Sequence, residues 1–405
     1  MAVEFKRIEG RSRLFYLMTF ALALLVLAGA ASTWLMHRQG LHLSGMTNRI
    51  PWGLQIVMTV FYIGLSAGSL VISSLYGVFG KQEYQPFARV AAYLAVLLLI
   101  GALLSILTDQ GRLDRALVEP FSHFNPLSML SINPFLYFSY LLICVVYLGV
   151  MMAGSERLTK ILATVAVLWA ILVHSGTGAI FGFVPRELYQ SPLLPPSFVA
   201  AALSSGTALT ILVILGLFRW TRRPLDGRLM LRVGQLLAVF IVVAGYFVFI
   251  ENAYRFYVHE SRAAERYFLF GGLHSVLFWV GLVLVGTVVP VAILLNRRMG
   301  QSIRWLAFSA VLVPAGVFCE RYLIVIPGLA HPPDLIPGWQ ITRSVVEEGI
   351  AVYAIGSYEV LQALGVAALI GLMFVWGLRM LALLPTEAMM PGNTSNHVLS
   401  NDTLV

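Results

Sequence analysis

The sequence carries little charge and almost no cysteine for its length. Of its 405 residues, 11% are charged and 59% are apolar, and only two are cysteines. Soluble domains usually carry about 25% charged residues, so this composition excludes a soluble globular enzyme, a disordered chain and a disulfide-rich secreted scaffold. Cys144 and Cys319, both inside apolar runs, are too few for a zinc site or an iron–sulfur cluster. The sequence also has no C-x-x-C-H motif for covalent haem attachment.

Long apolar runs dominate instead. A membrane-spanning helix needs roughly 20 mostly apolar residues, and the sequence contains ten such segments. The predicted fold class is therefore all-α and integral to the membrane, with about ten transmembrane helices. The segments are 14–36, 54–78, 88–108, 130–153, 160–182, 196–218, 231–252, 269–295, 303–327 and 354–380, the last of which contains Glu359.

The ends of the sequence are polar. We predict a cytoplasmic N-terminus over 1–13, a membrane domain over 14–385 and a flexible cytoplasmic tail over 386–405. Residues 28–30 read Ala-Gly-Ala after a basic start, which is one feature of a cleaved signal peptide. Because the apolar run continues unbroken through Trp34, an uncleaved first helix is the favoured interpretation.

The distribution of lysine and arginine predicts the orientation. With the N-terminus in the cytoplasm, the inside segments hold 17 basic residues and the outside segments nine, while Arg321 lies within a span. Basic residues concentrate in cytoplasmic loops. We therefore predict a protein of the bacterial inner membrane with both termini on the cytoplasmic side. The net charge of +8 then reflects membrane topology rather than nucleic-acid binding. The longer loops, 37–53, 109–129, 183–195, 253–268 and 328–352, face outward.

Matching motifs predict that a four-helix unit occurs twice, over about 51–182 and 195–327, as parallel repeats. In each unit prolines precede the first helix, small residues lie in its middle, and the second helix ends in an acid followed by arginine. The pairs are Pro51-Trp52-Gly53 with Pro195-Pro196, Ser66-Ala67-Gly68 with Ser204-Ser205-Gly206, and Asp109 and Arg112 with Glu251 and Arg255. The alternative is chance similarity between helices rich in glycine and serine.

Ionisable side chains near the membrane interior are costly and are therefore functional candidates. Asp109 and Arg112 lie three residues apart at the outer end of the third span. If the helix continues to Arg112, the two side chains share a face and can pair. The loop that follows carries His123 and Asn125. A quinone needs an apolar slot, hydrogen-bond partners for two carbonyls and a group able to exchange protons. An ion pair at the membrane interface with a solvated histidine is the alternative.

The other polar residues also have two interpretations. Trp52 suits the interfacial aromatic belt, and Ser66 suits either a helix contact or a polar cavity. His174 and His274 are candidates for a haem-b pair, although a helix-contact histidine is more common. Glu251 with Arg255, and Glu320 with Arg321, are typical of structural pairs or of a proton path.

Taken in order, several motifs resemble those of the NrfD/PsrC family of integral membrane subunits. They are Pro51-Trp52-Gly53, Asp109-Gln110-Gly111-Arg112, His123-Phe124-Asn125 followed by Ser128, the helix end around His174, and the loop from Pro185 to Pro195. The ten-span layout resembles the longer branch of this family, seen in the hydrogenase-2 membrane subunit HybB and in subunits of sulfur-metabolism complexes. The resemblance covers roughly residues 14–385.

The resemblance implies a quinone-reactive membrane subunit of a respiratory oxidoreductase complex. Such subunits carry no haem or iron–sulfur cluster of their own. They bind menaquinone or ubiquinone near the outer face and exchange electrons with a periplasmic, ferredoxin-like iron–sulfur subunit. That protein links them to a large exported catalytic subunit, either a molybdoenzyme or a hydrogenase.

The resemblance also implies roles for individual residues. Asp109 and His123 would exchange protons, although some relatives carry histidine in place of Ser66 or Asp109. The competing functions are a secondary transporter and a haem-b cytochrome. The implied quinone-binding residues are Trp52, Gly53, Ser66, Gly111, Arg112, Asn125 and Ser128, and the implied proton path is His174, Glu251, Arg255, Glu320 and Arg321, with no metal ligands.

Overall fold

The computed structural model describes residues 4–111, 115, 118–331 and 350–386. Helices account for most of this part of the chain, and ten of them are long and apolar enough to cross a bilayer. The prediction of an all-α integral membrane fold is therefore confirmed. The helices are α1 Arg13–Gln39, α2 Leu54–Gly77, α3 Gln85–Asp109, α4 Glu119–Ser122, α5 Met129–Ala153, α6 Glu156–Gly182, α7 Leu194–Trp220, α8 Gly227–Tyr257, α9 His259–Phe270, α10 Gly272–Leu295, α11 Ile303–Ala330 and α12 Ser357–Met380.

Two elements depart from regular α-helix. Within α10, residues Leu277–Val288 are wound as a π-helix, and the hydroxyl of Thr287 donates a hydrogen bond to the carbonyl of Leu282, five residues earlier. The only strands in the described residues are β1 Phe5–Lys6 and β2 Leu384–Pro385, which pair antiparallel. Short 3₁₀ turns lie at Leu41–Leu43, Gln82–Tyr84 and Met299–Gln301.

The segment 253–268 is helical, where the sequence predicts a loop. Helix α8 continues to Tyr257, and α9 follows after one residue. No glycine or proline interrupts this stretch, and Ser261, Ala264, Glu265 and Phe268 recur at helical spacing on the buried face of α9. The hydropathy pattern locates the membrane boundary, but the helix itself extends beyond that boundary.

The two described ends of the chain meet. Phe5 aligns with Pro385 in the β1–β2 pair, and the backbone N–H of Thr386 donates to the carbonyl of Glu4 at 2.8 Å. Both ends therefore lie on the same side of the ten spans. Which side of the membrane this is stays a prediction, and the tail from residue 387 onward lies outside the described residues.

The central helices form two rings of four. Helices α2, α3, α5 and α6 pack in a closed ring, each against the next, and α7, α8, α10 and α11 pack in the same cyclic order. The rings meet where α2 crosses α7, with α6 against α7 on one side and α11 against α2 on the other. Two parallel repeats around a pseudo-two-fold axis would produce these contacts. The repeat itself stays a prediction. Helices α1 and α12 pack on each other beside the first ring.

The crossing of α2 and α7 depends on two glycines. A Cβ atom built on Gly206 would lie 2.5 Å from the Cα of Gly68, and one built on Gly68 would lie 2.7 Å from the Cα of Gly206. Small residues let helix backbones approach closely within a membrane. These glycines belong to the two small-residue motifs that the sequence pairs, and each lies against the other.

We expect Gly206→Ala to destabilise the protein by about 1–3 kcal/mol, because the added methyl group overpacks the crossing. Gly216→Ala on the same helix is the matched control, since nothing lies within 4 Å of a Cβ at Gly216. Thermal unfolding in detergent measures both variants. Equal unfolding midpoints for the two variants would contradict the role of this crossing.

Candidate functional site

A buried carboxylate lies at the end of α3. Asp109 is 6% exposed, and the backbone N–H of Gly53, at the start of α2, faces its carboxylate. Its Oδ1 atom has no hydrogen-bond partner among the described residues. Trp52 lies beside Gly53 and packs edge-on against Phe181, with ring centroids 5.6 Å apart. The site combines an acid that retains a free acceptor with an aromatic wall.

A second carboxylate, Glu359, lies close enough to influence Asp109 electrostatically. Glu359 is 1% exposed and accepts four hydrogen bonds. Its Oε1 atom accepts from the hydroxyl of Tyr353 at 2.7 Å and from the N–H of Leu54 at 3.2 Å. Its Oε2 atom accepts from the N–H groups of Gly45 at 2.8 Å and Gly356 at 2.9 Å. Glu359 thus ties three chain segments together at the edge of the site.

This arrangement explains how α12 accommodates an acid in an apolar run. Glu359 is the third residue of α12, where the free N–H groups of a helix start favour a negative charge. Burial and the adjacent carboxylate raise the pKa of Tyr353, so its hydroxyl stays protonated and available as a donor. Gly53 has no room for a side chain, because a Cβ there would collide with Oε1 of Glu359.

The other residues predicted for this site are dispersed. Ser66 is fully buried and donates to the carbonyl of Ala95 at 2.7 Å. It lies twelve residues beyond Leu54, which places it roughly 18 Å further along α2. The structure therefore does not bring Ser66 to Asp109, and this position corresponds to the helix-contact alternative.

The loop residues of the predicted site are exposed. The ring of His123 contacts the hydroxyl of Ser122 at 3.0 Å, and Asn125 accepts from the N–H of Leu127 at 2.9 Å. Ser128 immediately precedes α5. Within the described part of the chain, no hydrogen bond joins His123 or Asn125 to Asp109. Arg112, the predicted partner of Asp109, lies outside the described residues.

Gly111 connects the site to the end of α1. It has a φ of +62°, which favours glycine, and its carbonyl lies 3.1 Å from Nδ1 of His37. A Cβ at this position would press against the side chain of Leu41. The turn after α3 is therefore held against the segment that leads into α2.

His174 lies inside the bundle, away from the membrane face. Its Nδ1 atom is 2.7 Å from the carbonyl of Ala170, and its Nε2 atom is 3.0 Å from the carbonyl of Ile63. Both ring nitrogens therefore face carbonyl oxygens of the protein, which is the arrangement of a helix-contact histidine. As a haem ligand, His174 would need one of these nitrogens free.

A second polar cluster lies at the end of α8. Glu251 and Arg255 form a buried ion pair, and together with Glu320 of α11 they line a cavity of about 40 Å³. Such a volume is enough for two or three water molecules, roughly. Arg321 lies next to Glu320 and stacks its guanidinium 4.0 Å from the centroid of the Phe198 ring. The four charged residues that the sequence pairs two by two are therefore brought together.

Most of the chain matches the model of a known protein family. Residues 42–333 match the family model described as polysulphide reductase, NrfD. The chain belongs to the NrfD family. This match covers both helix rings, including Asp109 at the end of α3 and the acidic cluster at the end of α8, but not Glu359.

Relatives of this NrfD-family protein come from several respiratory systems. It is 40% identical, over 96% of its own length and 98% of the relative, to the Hdr-like menaquinol oxidoreductase integral membrane subunit of Archaeoglobus fulgidus. It is 26% identical to the C subunit of selenate reductase from Mesobacillus selenatarsenatis, over 77% and 82% of the two proteins. It is 24% identical to the C polypeptide of polysulfide reductase from Wolinella succinogenes, over 69% and 95%.

A row of aromatic side chains starts beside Glu359 in this NrfD-family protein. It begins at Tyr353 beside Glu359 and continues through Tyr322, His274 and Tyr267 to His331, with successive ring centroids 6.2–6.5 Å apart. Each ring has an apolar body and a polar atom. The row therefore extends from the surroundings of Glu359 to His331, whose Nδ1 atom lies 3.8 Å from Oε2 of Glu187.

Glu265 of α9 is a charged residue that the sequence does not single out. It is fully buried, and within the described ranges neither carboxylate oxygen has a hydrogen-bond partner. Burial raises the pKa of Glu265 to about 7, with Arg255 opposing the shift and Glu251 adding to it. The helical spacing of Ser261, Ala264, Glu265 and Phe268 is the sequence signal that places Glu265 on the buried face.

Glu265 makes stability depend on pH. Because its folded pKa is raised, the folded state retains a proton that the unfolded state loses between pH 4.5 and about 7. Stability therefore falls as pH rises through this window. We expect Glu265→Gln to remove much of this fall, whereas Glu260→Gln, on the exposed side of the same helix, leaves it unchanged. Thermal unfolding from pH 4.5 to 8 measures both variants, and parallel profiles for wild type and Glu265→Gln would contradict the assignment.

Proposed function

We propose that this protein is the quinone-reactive membrane anchor of a multisubunit respiratory oxidoreductase. The observation that carries the proposal is the buried carboxylate of Asp109, whose Oδ1 atom has no hydrogen-bond partner among the described residues. The relatives support the ligand class, since one is named a menaquinol oxidoreductase membrane subunit and others are subunits of selenate and polysulfide reductases. A menaquinone or ubiquinone is the proposed substrate.

The geometry supports the following division of roles. Oxidation of a quinol releases two electrons and two protons, and the electrons pass to an iron–sulfur cluster of a partner subunit. Asp109 takes up the two protons in turn at Oδ1 and releases each to the outer side, while the N–H of Gly53 faces its carboxylate. Trp52 and Phe181 supply an aromatic wall for the ring of the substrate. In the opposite direction, Asp109 returns the proton to the quinone as it is reduced.

Glu359 acts as a positioning residue in this scheme. Its four hydrogen bonds fix the start of α2, and therefore fix Trp52 and Gly53 relative to Asp109. Arg112, His123 and Asn125 are further candidate contacts that rest on the family resemblance alone. The cluster of Glu251, Arg255, Glu320 and Arg321 is the candidate for coupling electron transfer to proton movement.

The proposed partners follow from the same scheme. A ferredoxin-like iron–sulfur subunit docks on the outer side, where it receives electrons from the substrate at Asp109, and a large exported catalytic subunit binds to it. The excess of basic residues on one side of the predicted topology supports a cytoplasmic location for both termini. The protein then lies in the cytoplasmic membrane with the Asp109 end facing outward.

Affinity purification of the tagged protein from its native membrane in mild detergent tests the anchor role. We expect an iron–sulfur protein and a large catalytic subunit to co-purify in fixed stoichiometry, as identified by mass spectrometry. The cells are grown under conditions in which they express respiratory oxidoreductases. Recovery of the protein alone in several detergents would contradict the proposal.

A further inference from the structure

A lipid-facing groove lies between α8 and α10, on the second ring of helices. It has a volume of about 760 Å³, within the range of about 300–1,000 Å³ that is usual for small-molecule sites. Along α8 it runs from Gly245 to Tyr257, a distance of roughly 18 Å. Its walls are mainly apolar, and the exposed rings of Phe249 and Trp279 lie along it. The groove is long and narrow enough for a hydrocarbon tail.

The groove ends against the buried polar cluster of the second ring. Val248, Asn252, Phe278 and Leu282 line both the groove and the 40 Å³ cavity that contains Glu251, Arg255 and Glu320. These four side chains are therefore the wall between an apolar channel and a group of buried acids. Asn252 is the one polar member of that wall among the described residues.

Asn252 keeps hydrogen-bonding capacity for a ligand. Its amide nitrogen donates to the carbonyl of Val248 at 2.6 Å, which uses one of its two N–H groups. Its Oδ1 atom is buried and has no partner in the described part of the chain. The buried Nε atom of Arg255, one turn further along α8, likewise has no hydrogen-bond partner among the described residues. Asn252 thus offers one donor and one acceptor at the polar end of the groove, and Arg255 lies in the cavity behind it.

We infer that the groove between α8 and α10 is a second binding site for an isoprenoid quinone or quinol. The ring lies against Asn252, where a quinone carbonyl accepts from the free N–H and a quinol hydroxyl donates to Oδ1. The isoprenoid tail lies along the groove past Phe249 and Trp279. This site is separate from that of Asp109 and rests on the proposed function only for the class of ligand.

The chemistry of the groove favours a quinone over a phospholipid as its occupant. A phospholipid headgroup carries an anionic phosphate, which would remain at the mouth, where Arg262 and Arg266 line an adjoining surface hollow. Arg262 already donates to the carbonyls of Phe256 and Tyr257, which end α8. A phospholipid would therefore leave the buried oxygen of Asn252 unsatisfied, which costs about 1–3 kcal/mol. The hydroxyl of a quinol head, which can donate to this oxygen, satisfies it.

Photo-crosslinking tests the site directly. The probe is a naphthoquinone with a diazirine on its isoprenoid tail, added to the full complex in nanodiscs of phosphatidylcholine and phosphatidylglycerol. We expect labelled peptides from residues 245–257 and 278–287, with labelling suppressed by excess menaquinone. Asn252→Leu should reduce this labelling about fivefold, since the hydrogen bond from its free N–H to a quinone carbonyl is worth about 1 kcal/mol. Val242→Leu, exposed on α8 outside the groove, should leave it unchanged.

The outcomes separate this inference from the proposed function. Two results would overturn the second site. One is groove labelling that is suppressed by phosphatidylglycerol but not by menaquinone. The other is groove labelling that persists in a monodisperse Asn252→Leu variant. The same probe applied to Asp109→Asn should label the groove as in wild type. Loss of activity in that variant with no groove labelling would contradict the second site while leaving the Asp109 site standing. Groove labelling together with unaltered activity in Asp109→Asn would support the second site and contradict the Asp109 site.

Discussion

Replacement of Asp109 by asparagine is expected to lower quinol-linked electron transfer by about 100-fold or more. General acid–base groups contribute about 10²- to 10⁴-fold to reaction rates. Asparagine preserves the size of the side chain and keeps an oxygen that can face the N–H of Gly53. It cannot take up a proton at neutral pH. The variant should therefore fold and join its complex, but it should not support turnover.

The measurement is quinol-dependent turnover of the purified complex, compared with turnover driven by an artificial donor that bypasses the membrane subunit. Asp226→Asn is the matched control. Asp226 caps the start of α8 by accepting from the N–H groups of Arg228 and Leu229, and asparagine is an equally good cap. Unchanged quinol turnover in Asp109→Asn would remove Asp109 from the site.

Glu359→Gln is expected to destabilise the protein by about 2–4 kcal/mol, because the amide group replaces one of the two accepting oxygens. Each oxygen accepts two hydrogen bonds, so two donors would then face an NH₂ group. Hydrogen bonds to a charged group are worth about 1.5–3 kcal/mol, and a buried unsatisfied donor costs about 1–3 kcal/mol. The segments 44–54 and 350–357 should lose their protection against amide hydrogen exchange.

Thermal unfolding in detergent and hydrogen exchange measured by mass spectrometry test this expectation together. Glu83→Gln is the control, since Glu83 forms an exposed ion pair with Arg232 at 3.3 Å and such pairs contribute about 0–1 kcal/mol. If Glu359→Gln and Glu83→Gln show the same unfolding midpoint and the same exchange in both segments, Glu359 does not fix the start of α2.

Much of the fold could be predicted from the sequence because a bilayer imposes a simple requirement. A spanning segment must be long, apolar and helical, and all ten segments meet this condition. The prediction was weakest where an element lies outside the membrane. Residues 253–268 have too many charged side chains for a hydropathy signal, yet α8 and α9 continue through them.

The candidate site was harder to predict because distant segments form it. Asp109 and Gly53 belong to neighbouring motifs of the sequence, and the structure places them in contact. Glu359 and Tyr353 lie more than 240 residues from Asp109, and no short motif links them to it. In the sequence, Glu359 stands out only as an acid within an apolar run. The four donors that surround it come from three separate segments, which a linear pattern does not associate.

In the second cluster, one ion pair could be predicted from the sequence and one buried acid could not. The spacing of Glu251 and Arg255 correctly indicates a pair on one helical face, and the structure places that pair beside Glu320. Glu265 is not evident from the sequence because it lies in a charged segment, where one more acid attracts no notice. Helical spacing places Glu265 on the buried face of α9, but only the packing of α9 against its neighbours shows that the carboxylate is fully buried.

The most direct test of the central claim is reduction of the partner's iron–sulfur clusters by quinol. The complex purified through this membrane subunit is mixed anaerobically with a reduced naphthoquinol, and cluster reduction is followed by electron paramagnetic resonance. The proposal predicts that quinol reduces the clusters in the wild-type complex but reduces them at least about 100-fold more slowly in Asp109→Asn. If dithionite reduces the clusters of the intact wild-type complex but quinol does not, the proposal is contradicted.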